Sequence, residues 1–155
     1  MGVDSIKILL IEDNPADARL VQEELSCELS FTVITVDSLD KALIKIRDIN
    51  AVDIILADLD LPDSKGINTF IKLYEHTKNL PIVILSGRKD ENLALKAVSQ
   101  GAQDYLVKGE IDTPLLIRVI RYAIERHKVY KELEECKIEL KKYKSLVEQQ
   151  SEKCF

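Results

Sequence analysis

Glycine and proline are sparse, 5 and 4 in 155 residues, against 46% hydrophobic and 32% charged residues. That balance excludes collagen-like and disordered chains and fits one globular domain able to bury its own core. Basic charge is not in excess: 22 Lys plus Arg against 27 Asp plus Glu leaves a net charge of −5. A broad phosphate-binding footprint is therefore excluded, and no direct nucleic-acid contact is expected. Long hydrophobic runs are missing. The longest, Ile6 to Ile11 and Ile54 to Ala57, are strand-sized and far short of the ~20 residues of a membrane helix, so no membrane association is expected. The first residues carry no apolar segment followed by a small-residue cleavage site. The cysteines, Cys27, Cys136 and Cys154, are odd in number and far apart. They fit neither a disulfide framework nor a metal site, and a reducing, cytoplasmic compartment is the expectation. Repeats and low-complexity segments are lacking too.

What is present is a regular alternation. Ile6 to Ile11, Phe31 to Val36, Ile54 to Ala57, Pro81 to Leu85 and Asp104 to Val107 are short apolar runs that predict five strands. Helical stripes lie between them. Asn14-Pro15 opens a helix marked by Ala18, Val21 and Leu25, with Asn as cap and Pro at the first helical position. Ser38 can cap a helix carrying Leu39, Ala42, Leu43 and Ile46. Leu61 to Gly66 is turn chemistry before a stripe of Ile67, Phe70, Ile71 and Tyr74. Leu93, Ala94, Ala97 and Val98 mark a fourth helix that Gly101 can end in the left-handed conformation, and Thr113-Pro114 opens a fifth. Strands this continuously apolar are covered on both faces, as crossover helices cover a parallel sheet. The fold class is α/β, a doubly wound five-stranded parallel sheet over about residues 5–127 with an extended last helix.

The tail differs. From Leu115 through Val119, Tyr122, Arg126, Val129, Leu133, Cys136, Leu140 and Tyr143 to Val147, residues step by alternating four and three. That is a heptad seam with one polar interruption, Arg126. Leu116, Ile120, Ala123 and Ile124 form a second stripe able to face the sheet. Residues 128–155 thus extend the domain of residues 1–127, either as a coiled coil that pairs two copies or as a single solvated helix. The end at Cys154-Phe155 carries no stop signal, which leaves a following output domain open.

The polar residues fall where strands stop. The first strand ends at Glu12-Asp13, the third at Asp58, the fourth at Ser86 and the fifth at Lys108. All carboxyl ends of an open parallel sheet share one edge, where sites form. Three clustered carboxylates repel unless a cation intervenes. Mg²⁺, a hard ion that takes one or two carboxylates and completes its shell with water and phosphate oxygens, suits them. Lys108 can pair with a carboxylate or a phosphoryl oxygen, and Ser86 can donate to one. The set suits phosphoryl transfer onto a carboxylate, with Asp58 the nucleophile.

Four segments carry a resemblance: Ile8 to Asn14, Leu56 to Gly66, Ile84 to Gly87 and Asp104 to Lys108. In this order, each closing a strand, they make the chain resemble the receiver domain of two-component response regulators. The resemblance implies a flavodoxin-like strand order, 2-1-3-4-5. It implies Asp58 as phospho-acceptor, Glu12, Asp13 and Asp58 with the Asp60 backbone carbonyl as Mg²⁺ ligands, Lys108 as the lysine that meets phosphate, and Ser86 and Tyr105 as switch residues. The implied donor is a sensor histidine kinase or a phosphotransfer protein, and the implied chemistry is the domain's own phosphotransfer and autodephosphorylation rather than turnover of an external substrate. Two departures stand out. The acidic pair is Glu-Asp, not the commoner Asp-Asp, so Asp13 can be the direct ligand with Glu12 behind it. Gly109 follows Lys108 where the family usually has a cis proline, and a trans bond is expected there because a cis bond before glycine costs about 2.5–4 kcal/mol.

Simpler roles stand beside these. Ser86 can cap a turn, Tyr105 can be ordinary strand packing, and His76 and His127 stand alone and are expected at the surface. A rival on the same architecture is a Mg²⁺-dependent phosphatase turning over through Asp58, with Asp60 as general acid. It lacks a cap insertion to enclose a substrate. A flavin site lacks its Ser/Thr/Gly-rich phosphate loop after the first strand.

Overall fold

The computed structural model describes residues 5–48, 52–77 and 79–153. The strands are β1 (Ile6–Ile11), β2 (Phe31–Val36), β3 (Ile54–Asp58), β4 (Ile82–Ser86) and β5 (Asp104–Val107). The helices are α1 (Pro15–Ser26), α2 (Leu39–Asp48), α3 (Ile67–His76), α4 (Glu91–Ser99) and α5 (Thr113–Lys153). The sheet is parallel in the order β2-β1-β3-β4-β5, as expected.

Period-two alternation sends strand residues to two cores. Leu9, Ile11, Ile55, Ala57, Ile82 and Ile84 face one side with Leu39 and Ala42 of α2, Phe70 and Leu73 of α3, and Ala94 and Ala97 of α4. Ile8, Leu10, Ile54, Leu56, Val83 and Leu85 face the other with Val21 and Leu25 of α1 and Leu116, Ile120 and Ala123 of α5. The predicted second stripe of the last helix thus meets the sheet, joined there by Val119 and Leu115 from the start of the seam. Helices on both faces make the sheet doubly wound.

Register sets the site. Ile11 lies beside Val36 and Ala57, Asp58 beside Leu85, and Ser86 beside Val107. The residues just past those pairs, Glu12, Asp58, Ser86 and Lys108, therefore share one edge.

The caps follow the sequence with two additions. Asn14 Oδ1 accepts from the amides of Ala16 (2.9 Å) and Asp17 (3.3 Å). Ser38 Oγ accepts from the Lys41 amide at 3.2 Å, but α2 has a second, remote cap. Asp63, on the loop after β3, accepts from the amides of Leu39 (3.0 Å) and Asp40 (2.9 Å). α5 starts at Thr113 as predicted, yet the side chain that caps it is Asp112, which accepts from the Leu115 amide at 2.8 Å. The turn before α3 is a ribbon, Asp60–Leu61 antiparallel to Ser64–Lys65. A short 3₁₀ turn, Arg88–Asp90, precedes α4. Gly101 follows α4 at φ +129°, and a Cβ there would lie 2.7 Å from the Tyr74 ring, so glycine is needed for close approach as well as for backbone shape.

α5 is one helix of 41 residues. Among the described residues none beyond Ala123 is buried. His127 departs from expectation: it is half-buried, and its Nε2 is enclosed without a hydrogen-bond partner. Cys154 lies outside the described residues.

Candidate functional site

The end of β1 places Glu12, 2% exposed, and Asp13, exposed, in succession at the sheet edge. The end of β3 brings Asp58 between them and the β5–α5 loop. One oxygen from each of Glu12, Asp13 and Asp58 lies within 4.8 Å of the others. Lys108 closes the group. Its Nζ is 2.6 Å from Glu12 Oε1, 2.6 Å from Asp58 Oδ2 and 3.3 Å from Asp17 Oδ2. The other oxygen of Asp58 accepts from the Asp60 amide at 2.9 Å.

The electrostatics follow from burial and these contacts. Burial pushes the Glu12 carboxyl up to about 9, and its hydrogen bond with Asp58 adds to the rise. Burial acts the same way on Asp58, but hydrogen bonds with Glu12, Lys108 and the Asp60 amide outweigh it and hold that carboxyl below the usual range. Burial disfavours the Lys108 ammonium, yet its bonds to Asp58 and Glu12 raise its pKa above that of an ordinary lysine. At neutral pH the group is therefore a carboxylate on Asp58, a cation on Lys108 and a proton on Glu12.

Glu12 Oε2 is buried without a hydrogen-bond partner. A hard, oxygen-seeking cation of the Mg²⁺ class, displacing the Glu12 proton, would satisfy that enclosed oxygen with Asp13 and Asp58 beside it.

Beside Asp58 opens a cleft of about 200 Å³, lined by Asp58, Asp60, Gly66, Ser86, Asp90 and Leu93 among others. Ser86 is 4% exposed, and its hydroxyl donates a long bond, 3.4 Å, to the Leu106 carbonyl. So the sheet edge brings Glu12, Asp58 and Lys108 into direct contact, places Asp13 close beside them and sets Ser86 in the adjoining cleft. Tyr105 is not among them. It is half-buried against the α2–α4 core and lines a separate groove with Arg118 and Tyr122. The Asp60 carboxylate lines the same cleft and is bonded to Lys65 Nζ at 2.7 Å in an exposed pair. Gly109 has φ +91°, and no peptide bond among the described residues is cis. The β5–α5 loop turns by a left-handed glycine where a cis proline was the family expectation.

Asp17 escaped the sequence reading. It looks like ordinary first-turn acid on a helix. Its signal is position: α1 starts four residues after β1 ends, so its first turn overhangs the same edge.

The molecule is thus a doubly wound α/β domain with an acid and lysine cluster at its carboxyl edge. The sequence model of the response regulator receiver domain matches residues 8–121. The transcriptional regulatory protein KdpE of Staphylococcus aureus is 37% identical over 102 residues, which are 66% of this chain and 43% of that protein. The cell cycle transcriptional regulator CtrA of Caulobacter vibrioides is 38% identical over 103 residues, 66% of this chain and 44% of that one. The chain thus spans less than half the length of these curated relatives. A crystal structure of a response regulator receiver domain protein from Clostridium thermocellum superposes with a TM-score of 0.71 at 27% identity, covering 81% of this chain and 98% of that one. The chain belongs to the response regulator receiver domain family of two-component signalling.

Proposed function

We propose that this chain is a phosphorylation-switched signalling receiver in which Asp58 accepts a phosphoryl group from a sensor histidine kinase or a phosphotransfer protein. The observation that carries this is the Asp58 carboxylate, kept anionic at the open end of β3 and bonded to Lys108 at 2.6 Å. One Asp58 oxygen attacks phosphorus. The new P–O bond forms as the P–N bond to the donor histidine breaks, and the electron pair of that bond leaves with the imidazole.

Asp13 and Asp58, with Glu12 and the Asp60 backbone carbonyl, would hold Mg²⁺, which supplies charge neutralisation for the incoming phosphoryl oxygens. Lys108 moves from the carboxylates to one phosphoryl oxygen, and Asp17 steadies its ammonium. Ser86 crosses the cleft to donate to another, giving up its long bond to the Leu106 carbonyl. Tyr105, one residue before Leu106 on β5, carries that change to the groove it lines with Arg118 and Tyr122. Partner binding or pairing of two copies reads the altered surface.

The domain of residues 1–127 performs this chemistry on itself, including slow hydrolysis of its own aspartyl phosphate, and turns over no external substrate. Residues 128–155 are an extension, helical as far as Lys153, toward a second copy or an output domain. The setting is cytoplasmic and needs neither membrane nor nucleic-acid contact. No described helix is long and apolar enough to cross a membrane.

The test is intact mass after incubation with acetyl phosphate, with and without Mg²⁺, on wild type and Asp58→Asn. One phosphoryl adduct that needs both Mg²⁺ and Asp58 is expected. An adduct of the same stoichiometry on Asp58→Asn removes Asp58 from the role.

A further inference from the structure

We propose that α5 from Val129 to Val147 is one strand of a parallel, in-register, two-stranded coiled coil formed with a second copy of this chain. This goes beyond the phosphotransfer site and does not depend on it.

The apolar seam is laid out for a partner helix. Leu133, Leu140 and Val147 take the a positions of a heptad, and Val129, Cys136 and Tyr143 the d positions. The five large apolar residues of that set are 46–66% exposed, on the longest helix of the fold. Strict spacing of four and three holds the seam on one side of the helix when two helices supercoil. A lone helical extension of this length is marginal in water without a packed face.

The flanking charges choose the partner and its direction. Glu132 and Glu139 occupy g positions, and Lys137 and Lys144 occupy e positions. In a parallel, in-register pair each g residue faces the e residue five places further along the other helix. Glu132 then meets Lys137 of the second copy, and Glu139 meets its Lys144, each pair formed twice by symmetry. An antiparallel pair sets g against g and e against e, hence Glu against Glu and Lys against Lys. A slip of one heptad keeps two of these four pairs, Glu132 with Lys144 and Glu139 with Lys137, and leaves the other charges unpaired. A second copy in register is thus the occupant that satisfies every charge beside the seam.

The polar interruption marks where the coil starts. Arg126 takes an a position, but its guanidinium turns back to its own domain, with Nη2 3.7 Å from Asp104 Oδ2 and 3.4 Å from the Gln103 carbonyl. It therefore leaves the seam three residues before Val129. The last buried residue of α5, Ala123, lies on the sheet-facing stripe, separate from the seam. The start of the seam, Leu115 and Val119, packs into the domain core, whereas from Val129 onward no described residue of the helix is buried, so pairing over Val129 to Val147 does not compete with domain packing.

Two experiments on the full, unphosphorylated chain test this. Sedimentation equilibrium is expected to show a reversible monomer–dimer association. Glu132→Lys with Glu139→Lys weakens it at least about tenfold, since each attractive pair becomes Lys against Lys. Adding Lys137→Glu and Lys144→Glu restores it. For register, a Cys27→Ser, Cys154→Ser chain leaves Cys136 as its thiol. Diamide takes two protons and two electrons from two such thiols and joins them as a disulfide, which requires Cα atoms about 4.4–6.8 Å apart. A covalent dimer is expected at Cys136, and none when Cys136→Ser is combined with Ser145→Cys, on the outward f position. A chain that stays monomeric at high concentration overturns the proposal. So does a dimer indifferent to the charge reversal, or one that crosslinks equally at both positions.

Discussion

Lys108→Met isolates the electrostatics of the site. The methionine keeps most of the stem and removes the cation bonded to Glu12 and Asp58. Three charge-assisted hydrogen bonds are lost, two short ones to Glu12 and Asp58 and a longer one to Asp17, each worth at most about 1.5–3 kcal/mol. They do not simply add. Glu12 already holds a proton below about pH 9 and keeps it. Asp58 is the charge left uncompensated, with its side chain 13% exposed. Breaking a buried pair by removing one partner costs about 3–5 kcal/mol, and the Asp60 amide still serves one Asp58 oxygen. The expected loss at pH 8 is about 3 kcal/mol.

The pH dependence gives the sign. In wild type the depressed Asp58 pKa adds stability above the ordinary carboxylate value, near 4, that is lost as pH falls through the lower folded value. The raised Lys108 pKa adds stability that is fully present below about 10.5, hence at both pH 5 and pH 8. In the variant Asp58 rises above its unfolded pKa and takes up a proton as pH falls, so the deficit shrinks to about 1 kcal/mol at pH 5. Mg²⁺ replaces the missing cation and stabilises the variant more than wild type. Urea denaturation at both pH values, with and without Mg²⁺, reads all of this. A variant as stable as wild type at pH 8, or one equally weakened at both pH values, refutes the reasoning.

Four further outcomes follow from the same geometry. Mg²⁺ affinity rises between pH 6 and pH 8, by at most about tenfold per unit, because binding favours the Glu12 anion over its protonated form; calorimetry in buffers of different ionisation enthalpy counts the proton released, and a flat profile contradicts it. Asp13→Asn relieves like-charge repulsion between Asp13 and Asp58, raising thermal stability slightly while removing most of the stabilisation by Mg²⁺ in the same melts. Asp63→Ala frees the amides of Leu39 and Asp40 and costs about 1 kcal/mol in urea denaturation, with no change in Mg²⁺ affinity. Gly109→Ala forces an alanine to φ +91° and costs about 1–2 kcal/mol, whereas Gly87→Ala, whose Cβ meets nothing nearer than 3.8 Å, is expected to cost less.

The sheet was legible because its signal is local. Five apolar runs ending in polar residues fix both the strands and the edge on which Glu12, Asp13, Asp58, Ser86 and Lys108 emerge. What the sequence concealed are contacts between segments distant in the chain. Asp63 caps a helix that starts 24 residues earlier, which no capping pattern near Ser38 announces. Asp17 reaches Lys108 across 91 residues. The strand order came from family resemblance, since apolar runs do not encode which strands are neighbours. Tyr105 shows the reverse limit: its place in the chain follows the family pattern, yet its ring belongs to a groove apart from the acid cluster. Arg126 reads as a flaw in a heptad until its contact with Asp104 shows it belongs to the domain rather than the coil.

The central claim is that Asp58 carries the phosphoryl group. Borohydride reduction of the phosphorylated chain converts an aspartyl phosphate to homoserine, and peptide mass spectrometry then reads the modified position. Conversion at Asp58, dependent on Mg²⁺ during phosphorylation, is the predicted result. Conversion at another carboxylate, or phosphate on a residue that borohydride leaves unchanged, contradicts it.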